Sequence, residues 1–341
     1  MEGDRVCAAG LRYATVDGLT LVRRRCGRGF TYLDAAGNRV RDQETIMRVR
    51  SLAIPPAYTE VRIAPRPDQH LQAVGRDEAG RLQYLYHPSW EDVREARKQD
   101  RLAVLCAVLP AMRRRLARTL RGSGPAREKT LAAAVTLIDR THIRVGSSDY
   151  VHSGRSRGAA TLLKRNVRCD GDYVRLSFHG KRRTHIECAI YAPALARALR
   201  ELQQLPGRRM FQYPDECGRP RRVSASDING YLHELSGAEV TAKDFRTLAA
   251  TAAAGERLCT AAPASRARQR RRQVAEVMRA VAEALGNTPA VVRRSYVHRC
   301  LVDAFESGHL ITLYQTVDRG RELSRGAALV AALFPLDDLA C

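Results

Sequence analysis

The chain has 341 residues, enough for one large domain or two ordinary ones, each able to bury a core. A formal net charge of +22 beside 45% hydrophobic residues suits a chain that meets a polyanion, with nucleic acid foremost. No apolar run approaches the roughly 20 residues of a spanning helix, and the N-terminal MEGDRVCAAGLRYATVDG lacks a signal peptide's apolar core; a cytoplasmic protein with no membrane partner is expected.

Residues 11 to 75 read as β-rich. GLTLVRR and GFTYLDAAGNRV alternate in short extended arms, DAAGN supplies turn chemistry, and the prolines of IPPAYTEVRIAPRPD forbid a helix. From about Trp90 the texture turns helical, with Leu102, Leu105, Leu109 and Met112 at helical spacing, so a domain boundary is placed near 90 to 102. REKTLAAAVTLIDRTHIRVGSSDY reads as a helix with Leu131, Val135 and Ile138 inward, losing its pattern near Arg144 and Gly146. In YVRLSFHGKRRTHIECAI, the alternation of Val174, Leu176 and Phe178, then Ile186, Cys188 and Ile190, predicts a hairpin with Gly180 and Lys181 at its bend.

Two further helices follow, with Ser224 or Ser226 and Thr241 as candidate N-caps. SRARQRRRQVAEVMRAVAEAL starts as a basic run and continues as a helix with Val274, Val277, Met278, Val281 and Leu285 on one face. Thr288 and Pro289 open another helix that places Val292 and Tyr296 on one face, with Asn287 at its N-terminus. Ala327 to Leu333 forms a short apolar helix in the tail. The whole is an α+β chain, with a small β-rich domain over 1–95 and a larger, mainly helical domain over 96–341.

The nine cysteines (Cys7, Cys26, Cys106, Cys169, Cys188, Cys217, Cys259, Cys300 and Cys341) form no Cys-x-x-Cys pair and no Cys/His cluster at zinc spacing. Reduced, mostly buried thiols and no metal are expected. Only Lys98, Lys129, Lys164, Lys181 and Lys243 are lysines among 58 basic residues, so each is a candidate for the proton transfer that arginine resists. No phosphate-binding glycine loop and no carboxylate cluster for Mg²⁺ is present, so no cofactor is expected.

Taken singly, each polar candidate has an ordinary structural explanation: Arg144 as a helix-end cap, Lys181 and Lys243 as solvated charges, Arg246 as a partner of Asp244 or of a neighbouring helix, Asn287 as a C-cap, Tyr296 as a packing aromatic. The order Arg144, Lys181, Arg246, Asn287, Tyr296 together with RSLAIPPAYTEVRIAP, LQAVGRDEAGRLQYLYHPSW, IDRTHIRVGSSDY, AKDFRT and LGNTPAVVRRSYVH resembles the type IB DNA topoisomerases, specifically their poxvirus-like and bacterial branch. These stretches span roughly residues 50 to 300.

The resemblance implies a catalytic domain of the tyrosine recombinase and topoisomerase IB type. Tyr296 would attack a phosphodiester to give a 3'-phosphotyrosyl link, Arg144 and Arg246 would hold the non-bridging oxygens, and Lys181, on its β-hairpin, would protonate the leaving 5'-oxygen. It also implies a monomer closing as a C-shaped clamp on duplex, preferably supercoiled, DNA, associated with the nucleoid and needing no ATP. Lys243, Gln83, Tyr84, Tyr86 and Tyr150 become candidate DNA contacts, and Arg266, Arg268, Arg270, Arg271 and Arg272 candidates to track phosphates. A buried sheet face explains Tyr84 and Tyr86 equally well.

Two departures stand out: Asn287 where eukaryotic and viral members carry histidine, and Arg157 in a loop where an aromatic is expected. A tyrosine recombinase is the nearest alternative, but it has histidine where Lys243 stands, and it leaves GRLQYLYHPSW unexplained. A non-catalytic DNA-binding protein is the alternative of another class.

Overall fold

A computed structural model of the protein describes residues 9–123, 126–146, 156–317 and 322–336. The chain divides into two compact units, Met1–Arg97 and Lys98–Cys341.

The first unit is built on an antiparallel sheet of order β2-β1-β3-β4-β5, with β1 Leu21–Cys26, β2 Gly29–Leu33, β3 Thr59–Ile63, β4 Leu71–Arg76 and β5 Leu82–Tyr86. Asp34 closes the DAAGN turn by accepting from the amides of Ala36 and Asn38 at 2.9 and 2.8 Å. Leu21, Val61, Ile63 and Ala73 pack one core, and Leu19, Ala64, Leu71 and Val74 a second. The β-rich reading omits helix α1, Gln43–Ser51, which adds Val49 to the first core. Its apolar side is narrow and Met47 points outward at 62% exposed, so periodicity is weak; the local signal is Asp42, whose carboxylate accepts from the Thr45 amide at 2.8 Å.

Helix α2, Trp90–Arg121, buries Leu102, Leu105, Leu109 and Met112 as their spacing predicts. Helix α3, Ala126–Thr141, was expected to bury one stripe. Instead Leu131 through Val135, with Leu137 and Ile138, are all fully enclosed, because the alanines let neighbouring elements close on every side. Strands β6 (Val167–Asp170), β7 (Tyr173–His179) and β8 (His185–Tyr191) form a sheet in that order, with Val174 opposite Ile190, Leu176 opposite Cys188 and Phe178 opposite Ile186.

Helix α4 (Pro193–Gln204) leads into the short hairpin β9 (Gln212–Pro214) and β10 (Pro220–Arg222). Ser224, not Ser226, caps α5 (Ala225–Ser236), accepting from the Asp227 amide at 3.1 Å while Asp227 accepts from the Ser224 amide at 2.8 Å. At the start of α6 (Ala242–Leu258), Asp244 accepts from the Thr241 amide at 2.8 Å and from its hydroxyl at 2.7 Å. Helix α7 (Ala267–Ala284) buries Val274, Met278 and Val281, and α8 (Arg299–Glu306), α9 (His309–Thr316) and α10 (Arg325–Leu333) complete the unit.

The expectation of mostly buried thiols is corrected. Cys106 is buried, and desolvation pushes its thiol up to about 12, but Cys169, Cys188, Cys259 and Cys300 are half-buried and Cys26 and Cys217 exposed. The two exposed ones sit at hairpin turns, where no second layer covers them. All seven are free.

Candidate active site

Arg144 is placed by a break in a helix and by two glycines. After α3, His142 takes a left-handed conformation (φ 54°) that turns the chain off the helix axis. The emerging strand-like segment is gripped by the chain returning at 158–160: the Ala159 amide donates to the Arg144 carbonyl and the Ala160 amide to that of Val145, each at 2.8 Å. Gly146 is at φ 76°, and a Cβ on Gly158 would press on the Arg144 carbonyl and lie 2.6 Å from the Gly146 nitrogen. Only glycine at 158 allows so close an approach. The Arg144 guanidinium then donates to the Asn287 side-chain oxygen.

Arg246 lies on the second turn of α6, only 4% exposed. It does not pair with Asp244; it donates to the carbonyls of His142 and, at 2.6 Å, Leu285, joining the segment before Arg144 to the turn before Asn287. Burial lowers its pKa and the nearby Arg144 charge adds to this, opposed by Tyr296. Its Nε is buried with no hydrogen-bond partner, as is Nδ2 of Asn287.

Asn287 was expected at the open N-terminus of a helix, and the structure adds what holds it there. Leu285 ends α7's backbone pattern, Gly286 is left-handed (φ 59°), and the amides of Gly286 and Asn287 return to the carbonyls of Glu283 and Ala282 at 3.1 and 2.8 Å. Thr288 caps the next turn, accepting from the Val291 amide, and Pro289 occupies its first position. The expected α-helix lasts only through Val291. Val292–Tyr296 is a π turn, closed by the Val297 amide on the Val292 carbonyl at 2.9 Å. One extra residue is fitted into the turn that ends at the tyrosine, a feature common where side chains are aimed for function.

Tyr296 is 9% exposed, and its ring centroid lies 5.4 Å from the Arg246 guanidinium carbon. Its carbonyl accepts from the buried Thr251 hydroxyl at 3.0 Å. Burial raises the phenol's pKa, but the charges of Arg246 and Arg144 and their hydrogen bonds outweigh it, leaving the value below the ordinary 10. A cavity of about 300 Å³ opens beside the ring, lined by Arg144, Arg157, Lys181, Lys243, Arg246 and Tyr296. Lys181 is exposed on the turn between β7 and β8, and Lys243 is exposed in the first turn of α6.

The structure therefore brings Arg144, Lys181, Arg246, Asn287 and Tyr296 together, with Lys243 on the same wall. Reading the sequence by motif missed Thr251 and the His142 carbonyl, which act through main-chain bonds that no residue pattern announces. It also missed that Ala225 and Ala242, the first residues of α5 and α6, line the cavity, although both capping boxes mark those helix starts.

Gln83, Tyr84 and Tyr86 belong to the first unit, on edge strand β5. Alternation puts the two tyrosines on an open face, 46% and 40% exposed, not a buried one, with rings 6.3 Å apart. Tyr86 is 5.9 Å from Trp90, extending the aromatic row. The Gln83 amide donates to Asp77 at 2.9 Å. Tyr150 lies outside the described residues. No helix among the described residues is long and apolar enough to cross a membrane, and no cluster of three or more metal-ligating side chains occurs among them.

A tyrosine set between two guanidiniums, with unfilled donors around it, in a strongly basic chain, defines an enzyme class that handles phosphate esters of nucleic acid. Comparison with known sequences narrows this. Residues 87–307 match the catalytic core of eukaryotic DNA topoisomerase I, and residues 29–77 match the N-terminal domain of bacterial DNA topoisomerase IB. The chain is also 28% identical over 294 residues to the DNA topoisomerase 1B of Acanthamoeba polyphaga mimivirus, covering 84% of this chain and 88% of that protein. The chain belongs to the type IB DNA topoisomerases and is an isomerase acting on DNA.

Proposed function

We propose that the enzyme relaxes supercoiled duplex DNA, without ATP or metal, by opening and resealing one strand through Tyr296. The phenolic oxygen bonds to phosphorus and the bond to the 5'-oxygen breaks, giving a 3'-phosphotyrosyl link and a free 5'-hydroxyl. The depressed phenol pKa eases loss of its proton to solvent. Arg144 and Arg246 hold the non-bridging oxygens, where charge collects in the transition state, and Asn287 adds a neutral donor. Lys181 passes a proton to the departing 5'-oxygen, which is otherwise a poor leaving group. Strand rotation follows, and the 5'-hydroxyl reverses the displacement, so the covalent link conserves the bond for religation.

Residues 1–95 serve in this reading as a DNA-binding domain, and residues 96–341 as the catalytic domain. Tyr84, Tyr86 and Gln83 contact DNA from β5, and Lys243 and Tyr150 from the catalytic side. The enzyme works as a monomer on the cytoplasmic nucleoid.

The observation that carries the proposal is a pair of buried donors without partners: Nε of Arg246, whose guanidinium faces the Tyr296 ring, and Nδ2 of Asn287, whose side chain is held by Arg144. Buried donors are almost always satisfied, so two together point to an acceptor that arrives with the substrate. Plasmid relaxation by Tyr296→Phe tests it: loss of relaxation with DNA binding retained is expected, and relaxation at the wild-type rate would end the assignment.

A further inference from the structure

Arg157 and Arg209 each donate through Nη1 to the same oxygen, the Thr161 carbonyl, at 2.9 Å. Two guanidiniums on one acceptor repel each other, yet the chain builds the pair firmly. The Gly158 amide donates to the Thr161 hydroxyl at 2.9 Å, and the Met210 amide to the Leu162 carbonyl at 3.0 Å, fixing both backbones. Arg222, exposed on β10, and Arg165, exposed just after Leu163, complete the group.

The group has no counter-charge of its own. Elsewhere in the unit arginines meet carboxylates: Arg113 meets Asp139, Arg175 meets Asp170, Arg219 meets Asp215 and Arg272 meets Glu276. Among the described residues, none of Arg157, Arg165, Arg209 and Arg222 forms such a pair. After burial, the influences on Arg157 and Arg209 come only from other arginines: Arg165 on the first, Arg222 and Arg157 on the second. Burial pushes each pKa down first, and the neighbouring arginine charges add to it.

Position gives the anion a context. Arg157 lines the Tyr296 cavity, and its amide donates to the His179 carbonyl at 2.8 Å, at the foot of the turn carrying Lys181. The cluster thus runs outward from the cavity wall toward the β9–β10 hairpin.

We propose that Arg157, Arg209 and Arg222 form a second phosphodiester seat that holds a backbone phosphate neighbouring the scissile one. This rests on the reading that the Tyr296 cavity takes the scissile phosphate. Guanidiniums suit the role because their planar forks match phosphate oxygens and keep their charge at any physiological pH.

The test measures binding of the full chain to duplexes in which single phosphates are replaced by neutral methylphosphonates, with a salt titration alongside. Arg209→Gln and Arg222→Gln should each flatten the dependence of log K on log salt, and the two together by up to about 0.9, the share of one neutralised phosphate. One methylphosphonate beside the scissile position should weaken the wild type more than it weakens the double variant, which keeps only Arg157 of the seat. Unchanged slopes, or the same methylphosphonate penalties in both proteins, would overturn the proposal. So would a flat methylphosphonate scan accompanied by tight binding of inorganic tripolyphosphate, which would make the cluster a seat for free phosphate. Arg222 is exposed on its hairpin, so Arg222→Gln still decides the matter if Arg209→Gln unfolds. Failure of the catalytic reading would be seen separately, as relaxation surviving in Tyr296→Phe whatever the binding data show.

Discussion

Gly158→Ala isolates the backbone contact that positions Arg144. The added methyl would lie 2.6 Å from the Gly146 nitrogen and 2.8 Å from its Cα, against an ordinary contact range of 3.4–4 Å. Both neighbours are main chain and cannot rotate away, so the two segments must part by about 1 Å, a displacement that can cost on the order of 10²-fold in rate when it moves a catalytic group. That corresponds to about 2.7 kcal/mol of lost transition-state stabilisation. Overpacking should also lower folding stability by about 1–3 kcal/mol.

The assay is single-turnover cleavage of a suicide duplex at saturating enzyme, with urea unfolding in parallel. Gly230→Ala is the matched control. Gly230 sits inside α5 with nothing near its missing Cβ, so alanine there should stabilise by about 0.5–1 kcal/mol and leave cleavage as it is. If Gly158→Ala cleaved within about threefold of wild type, the 144–146 and 158–160 pairing would not be what aims the arginine.

A spectrophotometric titration of the tyrosines should show one phenol ionising below pH 10 that is missing in Tyr296→Phe. Burial alone raises that pKa, so in Arg246→Met, with the strongest opposing charge removed, the step should move upward; an unmoved step would disprove the electrostatic cause. Lys181→Ala should cleave slowly, with the rate restored by a 5'-thio leaving group that needs little protonation; no rescue would remove Lys181 as the acid. Arg113 holds the buried Asp139 carboxylate through two bonds of 2.8 Å. Arg113→Met should therefore cost about 3 kcal/mol in urea unfolding, largely regained in Arg113→Met/Asp139→Leu, and a single variant as stable as wild type would count against the pair.

Where a residue type carries its own geometric demand, the sequence discloses the structure. Alternation through Val174, Leu176 and Phe178 sets the hairpin and its Lys181 turn, and Thr288 with Pro289 marks the turn before Tyr296. Short charged α1 is hidden because its narrow apolar side yields no period. The site's five polar residues are legible only as an ordered set, since each alone is commonplace. Their supports are not legible at all: the His142, Leu285 and Tyr296 carbonyls are bonding partners whichever side chain stands there, so only coordinates reveal them. The close approach of Gly158 to Gly146 is of the same kind, since a glycine announces freedom but not what comes near it.

The wide turn from Val292 to Tyr296 makes the activity fragile in one specific way. Deleting a single residue from it would let the segment rewind into an ordinary helix, satisfying the backbone as well as before while swinging the phenol by about 100° around the axis. The slip would also pull Val292 and Tyr296 from the core they share with Val297 and break the Thr251 bond to the Tyr296 carbonyl. One deletion there would thus remove strand cleavage and part of the local packing together.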